Sequence, residues 1–95
     1  MTTVTLVTSV YLSKAEALEI LSDTLGVAWI TDDPGDVTLA LAEGAILTIE
    51  VPHYGEELPL TLDCHHDDAE TLATVVANVQ TTLETRLGWG VTPLT

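Results

Sequence analysis

Six consecutive residues, Asp63 to Asp68, hold the densest set of potential metal ligands and nucleophiles in this 95-residue chain. Neighbouring side chains of a strand point to opposite faces, so Cys64 and His65 cannot readily share one ion or act as a nucleophile and its base. His66 remains open as a partner for Cys64. Asp67 is better explained as a helix cap and Cys64 as a small core residue. The segment therefore predicts no metal, no cofactor and no catalytic residue.

A second concentration of polar side chains lies in two segments rich in Asp, Glu, Pro and Gly, at 32–36 and 52–59. Strands joined as hairpins alternate in direction, so we expect both segments at the same end of a sheet. Their carboxylates, here called the acidic rim, are Asp32, Asp33, Asp36, Glu56 and Glu57. The predicted partner-binding residues are the acidic rim together with His53 and Tyr54. An aromatic ring beside carboxylates is typical of a protein interface, although turns also favour Asp for backbone hydrogen bonding.

The elements that must position these side chains follow from the spacing of apolar residues. Residues 3–12 are rich in β-branched types and predict a first strand. A capping box at Ser13 and Glu16 predicts a helix over 14–25, which Gly26 ends. The pattern over 27–31 predicts a short second strand.

The rest of the chain predicts three more strands and a second helix. A hairpin is expected over 37–51, and alternation from Leu60 places Cys64 inward. The capping-box spacing of Asp67 and Glu70 begins the second helix, and Gly88 ends it. A buried stripe is expected to include Ala69, Leu72, Ala73, Val76, Val79, Leu83 and Leu87. The order β-α-β-β-β-β-α, with a short strand near 90–94 left open, predicts one α+β domain over 1–95. We expect an antiparallel sheet of about five strands with two helices packed on one face.

Charge excludes several function classes. The chain has 15 Asp and Glu against 2 Lys and Arg, giving a net charge of −13. Direct binding of nucleic acid or of an anionic membrane is disfavoured, because both need Lys and Arg. No apolar run is long enough to span a membrane, and the first residues lack the basic region of a secretory signal. With a single cysteine, Cys64, these features predict a cytoplasmic protein.

Three functions are consistent with this composition. The first is a small non-catalytic inhibitor of a basic protein such as a toxin or nuclease, in the style of an immunity protein or antitoxin, acting through the acidic rim. The alternative is a structural or interaction module, for example a homodimeric subunit or a secretion chaperone, that uses an open sheet face or an edge strand. The third is a small enzyme centred on His53, His65 or His66. Acidity also serves solubility, or adaptation of an organism to salt, without any partner.

Overall fold

The computed structural model describes residues 2–33, 36–50 and 59–94. Within these ranges the α+β class is confirmed, with two helices and one antiparallel sheet of six strands. The sheet has one strand more than the expected five because the segment near 90–94 adds a strand. The strands are β1 (Thr2–Thr8), β2 (Trp29–Asp33), β3 (Asp36–Ala40), β4 (Ile46–Glu50), β5 (Thr61–His66) and β6 (Val91–Leu94). The helices are α1 (Lys14–Leu25) and α2 (Ala69–Thr82), and α2 continues through a π-helical turn at Leu83–Leu87.

The strand order is β2-β3-β4-β5-β1-β6, and every neighbouring pair is antiparallel. The strand β1 therefore lies between β5 and β6, with Leu6 opposite Leu62 on one side and Pro93 on the other. This order sets the direction of each connection. The turn from β2 to β3 and the connection from β4 to β5 lie at one end of the sheet, here called the rim end. The connection from β3 to β4, which contains a 3₁₀ turn at Ala42–Gly44, lies at the other end.

One face of the sheet is buried under the helices. Alternate residues of β5, Leu62 and Cys64, are fully buried, whereas Thr61, Asp63 and His65 are partly exposed. This period of two places one set of side chains against the helices and the other away from them. The fully buried core of sheet and helices includes Leu6, Leu21, Leu39, Leu47, Leu62, Leu72 and Leu83. The other side, here called the open sheet face, presents Thr3, Thr5, Val7, Ile46, Thr48, Thr61, Asp63 and His65.

Helix α1 has the predicted bounds and caps. The Ser13 hydroxyl accepts a hydrogen bond from the Glu16 amide at 3.2 Å and donates to the Glu16 carboxylate at 2.9 Å. Gly26 ends the helix with φ at +67°, a left-handed conformation that costs glycine little. Of the helices in the ranges described above, none is both long enough and apolar enough to cross a membrane.

Helix α2 differs from the prediction at its start and in its buried stripe. Its N-cap is Asp68 rather than Asp67, because the Asp68 carboxylate is the one that accepts from the Thr71 amide and hydroxyl. Ala69 and Ala73 are exposed, and Val75 is buried instead. Valine buries more apolar surface than alanine, so the helix turns its larger side chains toward the sheet.

The two tryptophans differ in burial. Trp89 is partly buried and packs against the core cluster. Trp29 does not, since half of its side chain is exposed at the start of β2. The reason is the strand order, because β2 is an edge strand. An edge strand has a neighbour on one side only, so a large side chain there is only partly covered.

Candidate functional site

The acidic rim begins on strands rather than on a loop. We expected 32–36 to form a turn, but β2 continues to Asp33 and β3 begins at Asp36, and these two residues are antiparallel partners. Asp32 also belongs to β2. The pairing persists because an irregularity between Thr31 and Asp33 absorbs a shift in register. The backbone therefore holds these three aspartates at the tip of a hairpin.

The second half of the acidic rim comes from the connection between β4 and β5. His53, Tyr54, Glu56 and Glu57 lie outside the described residues, whereas both strands that flank this connection are described. The connection leaves β4 after Glu50 at the rim end, the end that also carries the β2–β3 turn. The expected sharing of one end by the two segments therefore follows from the strand directions.

The C-terminal side of that connection is tied to the end of β1 and to the residues that follow it. Leu60 is buried, and its carbonyl accepts from the Thr8 amide at 2.9 Å and from the Thr8 hydroxyl at 2.8 Å. The Leu60 amide in turn donates to the Val10 carbonyl at 2.8 Å. Thr8 is itself buried, and these bonds satisfy its hydroxyl. The return of the chain into β5 is thus held by two hydrogen bonds to the last residue of β1 and one to the segment that follows it.

Both helices have one end near the rim end. The chain leaves β1 there and enters α1, whereas α2 starts at the opposite end and runs back. The positive end of the α1 dipole and the negative end of the α2 dipole therefore lie at the same edge. Their contributions oppose each other, so the charge of the rim end is set by its side chains.

The cluster Asp63 to Asp68 lies at the end of β5, away from the rim end, and its side chains diverge. Cys64 points inward as predicted and is fully buried. Burial, followed by the neighbouring Asp63 carboxylate, raises the pKa of the Cys64 thiol to about 12. A thiol in that state is a poor nucleophile and a poor metal ligand at neutral pH.

His65 points away from the core, onto the open sheet face. Its Nδ1 lies 2.8 Å from the Thr3 hydroxyl and its Nε2 lies 2.9 Å from the Thr48 hydroxyl. Beside it, the Thr5 hydroxyl donates to the Asp63 carboxylate at 2.5 Å. These bonds link side chains of β4, β5 and β1 across the face. A hydroxyl can donate or accept, so the pair of threonines accommodates either neutral form of the ring.

His66 joins the start of α2 to the 3₁₀ turn. Its Nδ1 accepts from the Asp68 amide at 2.8 Å, and its Nε2 lies 2.8 Å from the Glu43 carbonyl. A carbonyl only accepts, so this geometry requires the neutral ring with its proton on Nε2. The next residue in the network, Asp68, has its pKa lowered chiefly by the hydrogen bond from the Thr71 hydroxyl. Both nitrogens of His66 are therefore used in holding two elements together.

These positions explain why the cluster does not converge on one ligand. Cys64 lies in the core, His65 on the open sheet face, and His66 against the 3₁₀ turn. Over the described part of the chain, no three His, Cys, Asp or Glu side chains are grouped as a metal site would need. What the segment does chemically is to pair strands and to cap α2.

The Cys64 environment predicts how stability depends on pH. In the unfolded chain the thiol ionises near its ordinary pKa of 9.0, whereas in the folded chain it stays protonated to about pH 12. Between these values the folded state binds the extra proton, so the free energy of unfolding should fall as pH rises, by roughly 1.4 kcal/mol per pH unit from this group. Urea titrations from pH 8 to pH 11 measure it. The variant Cys64→Ala should show a shallower slope, and equal slopes would contradict the assignment.

An apolar cleft that the sequence did not reveal lies between the two helices, the segment that precedes β2 and the β3–β4 connection. Its volume is about 160 Å³, and Leu25, Val27, Leu41, Ala42, Val75, Asn78, Val79 and Thr82 line it. Hydrophobic periodicity along one helix cannot reveal such a gap, since the gap depends on how three elements meet. Trp29, half exposed, follows Val27 by two residues on the edge strand.

Comparison with known proteins adds no relative to this description. No protein-family model, no curated protein and no solved structure matches the chain.

Proposed function

We propose that this protein is a small non-catalytic inhibitor that binds a basic partner protein through the acidic rim. The partner class that fits best is a protein whose own ligand is anionic, such as a nuclease or a nuclease toxin, because carboxylates can occupy the positions of phosphates. This is the mode of action of an immunity protein or an antitoxin. The cytoplasm suits it, since Cys64 is a free thiol and such thiols persist in reducing compartments.

One observation carries the proposal. The strand directions bring the β2–β3 hairpin tip and the β4–β5 connection to the same end of the sheet. By backbone register, Asp33 and Asp36 are antiparallel partners on neighbouring strands. Like charges at paired positions of a sheet repel each other and are destabilising. A cationic partner would relieve that repulsion, so a feature that destabilises the free protein would strengthen binding of the partner.

Two features favour binding over catalysis. The strongest candidate nucleophile, Cys64, is buried, and its pKa is raised far above neutral pH. The two histidines of the described chain are already bonded, His65 to threonine hydroxyls and His66 to the Asp68 amide and the Glu43 carbonyl. Neither has a nitrogen left to act as a base without breaking a structural contact.

The experiment is an affinity pull-down from lysate of the source cells at about 50 mM and again at about 500 mM salt, with partners identified by mass spectrometry. We expect one basic protein that is retained at low salt and lost or weakened at high salt, because surface charges are screened beyond roughly 4 Å at the higher concentration. The purified pair should then show loss of the partner's own activity on mixing.

Recovery of the bait alone at both salt concentrations would overturn the proposal. So would a partner whose capture is insensitive to salt, since the acidic rim would then not be what holds it. If a basic partner is captured but its activity is unchanged on binding, the protein binds that partner without inhibiting it, and the inhibitory role is wrong.

A further inference from the structure

We infer that the open sheet face is an interface for a second copy of this chain, so that the protein is a face-to-face homodimer. The inference does not depend on the proposed function. It stands on three properties of the face: its low charge, the internal pairing of its polar groups, and its size.

The first property is the placement of charge. Nine Asp and Glu have described side chains, and Asp63 is the one among them on the open sheet face. The other eight are exposed on helices, caps and the 3₁₀ turn: Glu16, Glu19, Asp23, Glu43, Asp67, Asp68, Glu70 and Glu84. By strand register Asp36 and Glu50 belong to the rim end of this face, so its centre and opposite end carry the low charge. Two copies at −13 repel each other strongly, and this is the surface on which they can meet with the least repulsion.

The second property is that the polar side chains of β1, β4 and β5 on this face are hydrogen-bonded within the chain, whereas the Thr38 hydroxyl of β3 has no partner among the described residues. His65 is held between Thr3 and Thr48, and Asp63 accepts from Thr5. The Thr61 hydroxyl donates to the Pro59 carbonyl at 3.1 Å. Burying a polar group is costly mainly when it loses its partner. These groups keep their partners when the face is covered, so covering it costs little.

The third property is size. Six strands about 4.8 Å apart and roughly five residues long give a flat footprint of nearly 500 Å². Because side chains protrude from the sheet, the accessible area is larger than this footprint and approaches the roughly 800 Å² that each partner contributes to a stable interface. The face also carries apolar groups, Val7 and Ile46, that are only partly covered within one chain. Sheets stack face to face about 10 Å apart by interdigitating side chains of this kind.

The test uses the purified full-length chain in sedimentation velocity and equilibrium runs from about 1 µM to 1 mM. We expect a dimer whose dissociation constant falls as salt rises, because salt screens the repulsion between like-charged copies. This dependence is opposite to that of capture of a basic partner, so the two proposals fail separately. A monomer throughout the range would overturn the inference.

Two variants locate the interface. The double variant Val7→Glu with Ile46→Glu places two carboxylates on the open sheet face of each copy. The dissociation constant of the dimer should rise at least about 10-fold, because like charges within an interface repel each other. The matched control, Ala73→Glu with Ala77→Glu, adds the same charge on the exposed side of α2 and should change it less than about threefold. Equal weakening by both variants would place the interface elsewhere.

A gentler substitution covers the case in which the double variant does not fold. Asp63→Asn removes the central carboxylate and keeps an oxygen to accept from Thr5. Two facing copies then lose a repulsive pair, and we expect the dimer to tighten by about threefold or more. The control Glu84→Gln removes one charge from an exposed position away from the face. Equal tightening by the two substitutions, or none by Asp63→Asn, would contradict the inference.

Discussion

Reversing the five carboxylates of the acidic rim to lysine is expected to weaken capture of a basic partner by at least about 100-fold, or about 2.7 kcal/mol. Close charge pairs across an interface are worth about 1.5 to 7 kcal/mol each, so the loss of several attractive pairs easily exceeds this bound. The measurement is a titration of the purified partner by calorimetry or surface binding, at one fixed salt concentration.

The matched control reverses five other exposed carboxylates and leaves the acidic rim intact. These are Glu19, Asp23, Glu43, Asp67 and Glu70, none of which lies at the rim end. Each reversal changes the charge by two, so both variants move from −13 to −3. Long-range attraction is reduced equally in the two, and we expect the control to lose roughly 10-fold in association rate and little in dissociation rate. Similar losses of affinity in both variants would show that net charge, not the acidic rim, drives binding.

The second large effect is on stability. Leu62 is fully buried at the centre of the sheet, where it lies opposite Leu6 of β1 and Ile49 of β4. Replacing it with alanine removes its packing and leaves a cavity, which we expect to lower the free energy of unfolding by about 2 to 5 kcal/mol. The total free energy of unfolding of a small domain is about 5 to 15 kcal/mol, so the variant should be close to unfolding.

Urea denaturation followed by tryptophan fluorescence measures the change. The control Tyr11→Ala truncates a side chain that is 67% exposed between β1 and α1, and it should cost less than about 0.5 kcal/mol. A loss below about 1 kcal/mol for Leu62→Ala would mean that the core relaxes to fill the space. In that case the close packing described for the sheet and helices would be wrong.

Much of the local structure could be predicted because its signals lie within a few residues of each other. Ser13 and Glu16 set the start of α1, Gly26 its end, and period-two alternation the inward position of Cys64. Helix α2 was harder, since Asp67 and Asp68 both suit an N-cap. The choice of Asp68 depends on Thr71, whose hydroxyl reinforces it.

The parts that could not be predicted depend on contacts between distant segments. The exposure of Trp29 follows from β2 lying at a sheet edge, and the apolar cleft depends on how the two helices meet the β3–β4 connection. No local sequence pattern indicates the exposure of Trp29 or the presence of the cleft. For the acidic rim, sequence reasoning found the shared end of the sheet but expected a loop where Asp33 and Asp36 extend a hairpin. Its remaining residues, His53, Tyr54, Glu56 and Glu57, lie outside the described part of the chain, and their role stays a prediction.

The position of β1 has a consequence for how the chain acquires its fold. The ribosome makes this strand before the other five, and its partners, β5 and β6, begin only at Thr61 and Val91. At about 5 to 20 residues per second, β1 waits several seconds for either neighbour. Contacts so distant in sequence also slow the search for the native pairing. Thr3 and Thr5 alternate with Val4 and Leu6 and lie on the side that becomes the open sheet face. They lower the hydrophobicity of an unpaired strand that would otherwise be prone to aggregate.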